Sequence, residues 1–296
     1  MKKYLSIFAH FDRDNVIDDY VILYLKALKQ VSSEVIFVSD CNLPEVELRK
    51  LSEICIIKIA TKHGEYDFGS WKRGLSAAKE KLNIDNYDEI VLANDSCYLL
   101  SPLTAIFTEM EKRNPVDFWG IAQSKQQGSE HLHSYFMVFS KKVFLSEIFN
   151  NFFENYVTKQ DRSLVIKNCE IGLTKILSQN GFTKDSFIKK ILPSDAIGRS
   201  VFTNLIPHGF PFVKAKLFRN GFVAVTKCKS ITSKENYEAI SKNLLKEIGS
   251  DKLLEAYHYS YFDIFFLHKF LFRVLLKHNV FSIKIFGLSL FKKKLT

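Results

Sequence analysis

The sequence predicts an α/β fold: a mostly parallel sheet with helices on both faces. Three observations predict it. Short apolar runs rich in Val, Ile and Phe alternate with helical patterns through the first half of the chain. Those runs are continuous rather than alternating, as expected of strands buried on both faces. The segments just after several of them, HFDRD, TKHGEYDFGSWKR and NDS, are polar and charged, and such sheets bind ligands at the carboxyl ends of their strands.

The elements follow in order. Tyr4–Ala9 reads as a first strand, because its apolar run is too short for a signal segment and Asp12 and Asp14 soon interrupt it. A helical pattern from Val16 to Lys29 follows, with Asp14 or Asn15 available as its cap. Glu34–Ser39 is a buried-strand run, Pro44–Ser52 a short helix with proline in its first turn, and Ile54–Ala60 another strand. Gly69–Leu82 is helical, Glu89–Ala93 is an apolar strand, and Pro102–Lys112 is helical again. DFWGIA and SYFMVFS are two further strand candidates, and Lys142 to about Lys190 is mostly helical. An irregular stretch with three of the six prolines comes next, and from Glu235 the pattern is helical to near the end. A soft boundary near Ser233 divides a body, residues 1–233, from a helical extension, residues 234–296.

Composition bounds the class. A hydrophobic fraction of 47% with 25% charged residues is globular, and 12 Gly with 6 Pro argue against linkers, repeats and turn-rich all-β folds. The formal net charge is +10, but Lys269, Arg273, Lys277, Lys284 and Lys292 to Lys294 all follow the last acidic residue, Asp263. Without those seven, 35 basic residues face 32 acidic ones, so the body is near neutral. With no helix-turn-helix, zinc-finger or RNP signature, nucleic acid is not the expected partner. Five scattered cysteines without a CxxC or Cys/His spacing suit reduced thiols, so the body is expected in the cytoplasm.

Several constellations carry chemistry. Asn94-Asp95-Ser96 follows the strand EIVLA, where a short acidic motif can hold Mg²⁺ or Mn²⁺ against a diphosphate, or merely form a turn. Gly69-Ser70 at a helix start offers N–H groups to a phosphate, with Lys72 and Arg73 in support; the plainer reading is that Asp67 or Ser70 caps the helix and Trp71 packs in the core. His10, Asp12 and Asp14 follow strand one, where a base and ribose would lie, or form a solvated loop. His131 and His133 share a strand face before Tyr135, the arrangement of a metal pair, but no third ligand has a recognisable spacing, so a hydrogen-bonding substrate site is expected there rather than zinc. Glu170 could act as a general base or be an exposed helix residue, and His208 lies in the irregular stretch where a late metal or diphosphate ligand could arise.

The blocks AHFDRDNVIDDYVILYLKALK, EYDFGSWKRGL, NDSCYLLSPL, DFWGI, HLHSYFMVF, EIGLTKIL and GFPFVKAKLF stand in the order found in rhamnan synthesis protein F-type glycosyltransferases, which the chain resembles from about Lys3 to Arg219. The resemblance implies a GT-A-like transferase using a nucleotide-diphospho-sugar, such as dTDP-rhamnose or UDP-galactofuranose, for bacterial surface polysaccharide. It implies that Asn94-Asp95-Ser96 is a variant of a metal-binding DxD motif with Asp95 as its one carboxylate. Asp67, Ser70, Trp71 and Lys72 resemble the donor-nucleotide helix, and Asp12 and Asp14 the first-strand donor loop. Glu170 and Asp117 are candidates for the base by position.

The cationic end has its own reading. In YFDIFFLHKFLFRVLLKH the residues Lys269, Arg273 and Lys277 recur every four positions, a basic stripe on an otherwise apolar helix. Charges near the middle of that arc make spanning costly, and an interfacial helix on anionic lipid fits better, with a buried helix or dimer contact as the alternative. The expectation is therefore an enzyme on the cytoplasmic face of the bacterial inner membrane, beside a polyprenyl-linked acceptor. The rival functions are a non-catalytic peripheral membrane protein or another nucleotide-using enzyme on the same sheet.

Overall fold

The computed structural model describes residues 2–126, 129–157, 166–189, 192–193, 205–219, 225–248, 272–277, 280–285 and 288–294. The first half alternates as the sequence predicts: β1 (Tyr4–His10), α1 (Asp19–Val31), β2 (Glu34–Ser39), α2 (Glu45–Arg49), β3 (Ile57–Ala60), α3 (Tyr66–Lys81), β4 (Glu89–Asn94), β5 (Cys97–Leu99) and α4 (Thr104–Glu111). Then come β6 (Phe118–Gly120), β7 (Gln123–Gln126), β8 (Ser129–Leu132), β9 (Phe136–Ser140), α5 (Lys141–Phe144), α6 (Glu147–Glu154) and a π-helical turn, Ile166–Ile171. They are followed by α7 (Gly172–Gln179), β10 (Lys184–Ser186), β11 (Leu192–Pro193), β12 (Phe212–Lys214), α8 (Ala215–Arg219) and α9 (Lys234–Ile248). The last strands are β13 (Phe272–Lys277), β14 (Val280–Ile285) and β15 (Leu288–Lys294).

Seven strands form the central sheet in the order β10-β6-β9-β4-β1-β2-β3. β1 pairs in parallel with β2 and β4, and β2 with β3. Only β9 runs against the rest, antiparallel to both β4 and β6. The fold is α/β, with a Rossmann-type, mostly parallel sheet and flanking helices. Alternation along β1 shows why both faces are covered. Tyr4 and Phe8 join the core under α1 and α4, while Leu5, Ile7 and Ala9 join the core under α3 and α6. Each fully buried side chain of this kind contributes roughly 1.5–3 kcal/mol. Gly74 lets α3 lie close to the sheet, since a Cβ there would meet Ile7 Cγ2 at 2.3 Å.

Four details differ from the sequence reading. Helix α1 begins at Asp19, and Asp14 and Asn15 stay in the loop, Asn15 with a left-handed φ of 54°. Helix α3 begins at Tyr66 rather than Gly69, and Tyr66 has φ 56°, a strained conformation for an aromatic residue. The segment read as helical up to Lys190 instead ends in β10, three residues pairing parallel to β6, too short to leave a period in the sequence.

The fourth concerns the extension. Its first part, α9, is helical and packs on α1, burying Ala239, Ile240, Asn243 and Leu244. The expected helix through His278 is corrected from Phe272 onward, where β13, β14 and β15 form an antiparallel three-stranded sheet. VFSIKI alternates with period two, which a strand satisfies and a helix does not. The stripe residue Lys269 lies outside the described residues. Among the described residues no helix is long and apolar enough to cross a membrane.

Candidate functional site

Because β1, β2 and β4 are parallel, the residues that follow them share one edge: His10 and Phe11, Asp40, and Asn94 to Ser96. The reversed strand β9 begins at this same edge, and Asn94 N donates to Tyr135 O at 3.2 Å. His133 N donates to Ala122 O at 3.0 Å, just past the end of β6.

The Asn94-Asp95-Ser96 turn is built by Asn94. Its carboxamide oxygen accepts from Ser96 N at 3.1 Å and Ser96 Oγ at 2.7 Å, and its Nδ2 donates to Asp67 Oδ2 at 2.7 Å. An Asp at this position would present a second carboxylate to Asp67 instead of a donor, so the departure from DxD has a local reason. Asp95 Oδ2 accepts the Phe11 N–H at 2.7 Å. Burial, and then the charge of Asp67, push the Asp95 carboxyl up to about 8, where a cation would relieve it.

The first-strand loop is held from inside. Burial lowers His10 to about 4, and its Nδ1 pairs with Ser39 Oγ at 2.9 Å, so it ties β1 to β2 rather than facing a ligand. Asp12 is buried. Its Oδ1 accepts from Asp14 N at 2.8 Å, and its Oδ2 lies 2.8 Å from Lys246 Nζ. Burial opposes the Asp12 charge, yet the Lys246 hydrogen bond brings its carboxyl below the usual range. Lys246 also bonds Asp18 at 2.8 Å, so α9 pins this loop. Asp14 and Arg13 remain at the surface, and Phe11 is 56% exposed beside Asp95.

Helix α3 corrects much of the expected donor helix. Starting the helix at Tyr66 commits Gly69 N to Glu65 O at 3.1 Å, so it is not open to a phosphate. Ser70 is buried against His63 Nε2 at 3.0 Å. Trp71 is fully buried and donates Nε1–H to Ala93 O at 3.0 Å. Lys72 satisfies the carbonyls of Glu154 and Tyr156 at 2.9 and 3.2 Å, and Arg73 is paired with Glu65. Only Asp67, through Asn94, reaches the strand edge. The same residues thus anchor α3 to its surroundings, which the spacing alone could not reveal.

On the other side of the turn, His131, His133 and Glu170 come together. His133 Nδ1 is 3.2 Å from Glu170 Oε1, Ser134 Oγ donates to Glu170 Oε2 at 3.0 Å, and His131 Nε2 is 3.8 Å from Oε1. Ser124 Oγ lies 3.2 Å from His131 Nε2, and the His133 and Tyr135 rings stack with centroids 5.8 Å apart. Lys214 Nζ lies over the Tyr135 ring at 5.3 Å. Burial opposes the Glu170 charge, yet the His133 hydrogen bond, with help from Lys214, holds its carboxyl at about 2. Glu170 is therefore a fixed, ionised group, far from the pKa that suits a general base at neutral pH.

Asp117 does not belong to the site. β6 runs parallel to β4, so the residue before it lies at the opposite edge, where Asp117 accepts from Thr183 N at 2.8 Å and Lys142 at 2.9 Å. His208 ends a short 3-10 turn, Ile206–His208, ahead of β12, which pairs with β5; its side chain is outside the described residues. Sequence reasoning missed Phe11, Lys214 and Lys246. An exposed aromatic at a strand end was a signal for the first, while the two lysines are brought in from distant segments.

Known proteins are similar to this chain to different degrees. Virulence protein VirA of Vibrio anguillarum is 27% identical over 251 residues, covering 74% of this chain and 80% of that protein. The uncharacterized protein y4gN of Sinorhizobium fredii is 30% identical over 165 residues, 55% of this chain and 43% of its own length, so the match spans less than half of that relative. A cytidylyltransferase structure from Leptospira borgpetersenii aligns with 86% of this chain and 97% of its own, at 12% identity and a TM-score of 0.41. The model of the family described as Rhamnan synthesis protein F matches residues 35–260, and the chain belongs to that family.

Proposed function

We propose that the chain is a glycosyltransferase that moves a sugar of the rhamnose or galactofuranose type from a nucleoside-diphosphate donor to a growing bacterial surface polysaccharide. Family membership supports a nucleotide-sugar-dependent transferase of polysaccharide synthesis. The observation that carries the site is the convergence, on one sheet edge, of the Asn94-Asp95-Ser96 turn with Asp67 and Phe11 on one side and the His131, His133, Glu170 group on the other.

In this reading the nucleobase stacks on the exposed Phe11 ring, and the diphosphate faces the turn with Arg13 close by. Asp95 and Asp67 fit a hard divalent ion, because Mg²⁺ and Mn²⁺ take one or two carboxylates together with substrate phosphates. Such an ion would supply Lewis-acid stabilisation of the departing diphosphate. The acceptor, a polyprenyl-linked saccharide, enters from the side of His131, His133 and Tyr135. The basic tail would hold the protein against anionic lipid at the cytoplasmic face of the inner membrane.

A thermal-shift panel of UDP, dTDP and GDP sugars identifies the donor, since a ligand that binds the folded state raises its melting temperature. Transfer to a lipid-linked acceptor is then measured with and without EDTA. No response to any nucleotide sugar would remove the reading. Deleting the residues after Asp263 should release the protein from anionic vesicles, and sedimentation that persists without them would remove the membrane role.

A further inference from the structure

We propose that His131, His133 and Glu170 bind a transition-metal ion of the Zn²⁺ or Co²⁺ class, apart from the Asn94-Asp95-Ser96 turn and without help from a nucleotide. The inference goes beyond the glycosyl-transfer reading and does not depend on it. Among the described residues, this is the one place where three His, Cys, Asp or Glu side chains bring ligand atoms together, all within 4.8 Å of one another.

The geometry suits a small ion. His133 Nδ1 and His131 Nε2 lie 3.2 and 3.8 Å from the same Glu170 oxygen. Ligands held tetrahedrally at about 2.0–2.1 Å from zinc stand roughly 3.3 Å apart, so small side-chain shifts close the three around a metal. Both imidazoles are nearly inaccessible, His131 at 1% and His133 at 6% exposure. His133 Nε2 is buried and makes no hydrogen bond among the described residues, and the Nδ1 contact to Glu170 is the one a bridging ion would take over.

The surroundings are those of a supported site. Ser134 Oγ holds the second Glu170 oxygen at 3.0 Å, while Ser124 Oγ, 3.2 Å from His131 Nε2, gives up that contact when the nitrogen takes a metal. An outer partner such as Ser134 orients a metal ligand. Glu170 is delivered by the π-helical turn Ile166–Ile171, a distortion common at functional sites. Two imidazoles and one carboxylate favour Zn²⁺ or Co²⁺ over Mg²⁺, and three protein ligands leave a position open. Lys214 is the charge that opposes the ion, so binding is weaker than in a closed structural zinc site.

The full chain, stripped with chelator and free of nucleotide, is titrated with Co²⁺ while the visible d–d bands are recorded. Its metal-to-protein ratio is then measured by mass spectrometry after Zn²⁺ loading and desalting. One equivalent is expected. Glu170→Gln and His131→Ala should each weaken it tenfold or more, while Asp95→Asn keeps it. His133→Gln tests the third ligand with a side chain of similar reach, and melting curves confirm that each variant is folded. The proposal is overturned if the wild-type chain takes up no stoichiometric metal, or if uptake survives both Glu170→Gln and His133→Gln.

Discussion

Asp95 and Glu170 stand on the same edge of the sheet, and their surroundings are opposite. Asp95 sits beside Asp67, accepts one backbone N–H, and is pushed up to about 8. Glu170 accepts from an imidazole and a hydroxyl, feels Lys214, and is held at about 2. Burial disfavours the charge of both, so the difference comes from partners. On one side burial and Asp67 favour the protonated Asp95 carboxyl, and on the other hydrogen bonds and Lys214 keep the Glu170 carboxylate ionised. In the proposed function this assigns the diphosphate and its hard metal ion to the Asp95 side, and the acceptor to the other.

The sharpest way to break that contrast is Asp95→Ala, expected to lower the transfer rate by about 10²–10³-fold, the usual cost of removing one group that stabilises developing charge. Unchanged turnover in a steady-state assay would end the assignment. Phe11→Ala tests the same side through nucleotide binding. Base stacking is worth about 1–3 kcal/mol, so the dissociation constant measured by calorimetry should rise by about 5- to 150-fold.

The pH dependence of stability should move in opposite directions for the two carboxylates. Asp95 has a raised value, so the stability it contributes is present below about 4 and is lost as pH climbs towards 8, and Asp95→Asn should remove that component. Glu170 has a lowered value, so its contribution is present above about 4.5 and is lost as pH drops towards 2. Glu170→Gln should therefore melt several degrees lower at pH 7, with the gap closing in acid. Thermal melts from pH 3 to 9 check both signs. The smallest effect is expected from Asp117→Asn at the far edge. It loosens the tie between β6 and β10 by on the order of 1 kcal/mol and leaves turnover within about twofold.

Much of the frame was legible in the sequence. Continuous runs such as EVIFVS and EIVLA announced buried parallel strands, and the polar residues after them marked the edge where the candidate site lies. Less of the site was legible. Trp71, Ser70, Lys72 and Arg73 stand next to the site in sequence, but a helix started at Tyr66 commits Trp71 to the sheet, Lys72 to the end of α6, Ser70 to His63 and Arg73 to Glu65. Asp117 and Glu170 were equal as candidate bases, and only the direction of β6 separates them. The basic tail was read by its fourfold spacing, while the two-residue period after Val280 decided its strands.

By itself the sequence determined which segments would be buried and which loops would gather at one edge, because both depend on local hydrophobicity and strand direction. Which carboxylate meets which partner was decided only by tertiary structure. Lys246 reaches Asp12 from 234 positions away, and Lys214 approaches Tyr135 from a strand paired with β5. The strand reversal at β9 brings His131 and His133 to Glu170. Electrostatics at a buried site is set by neighbours within a few ångströms, and those neighbours come from segments that sequence distance does not connect.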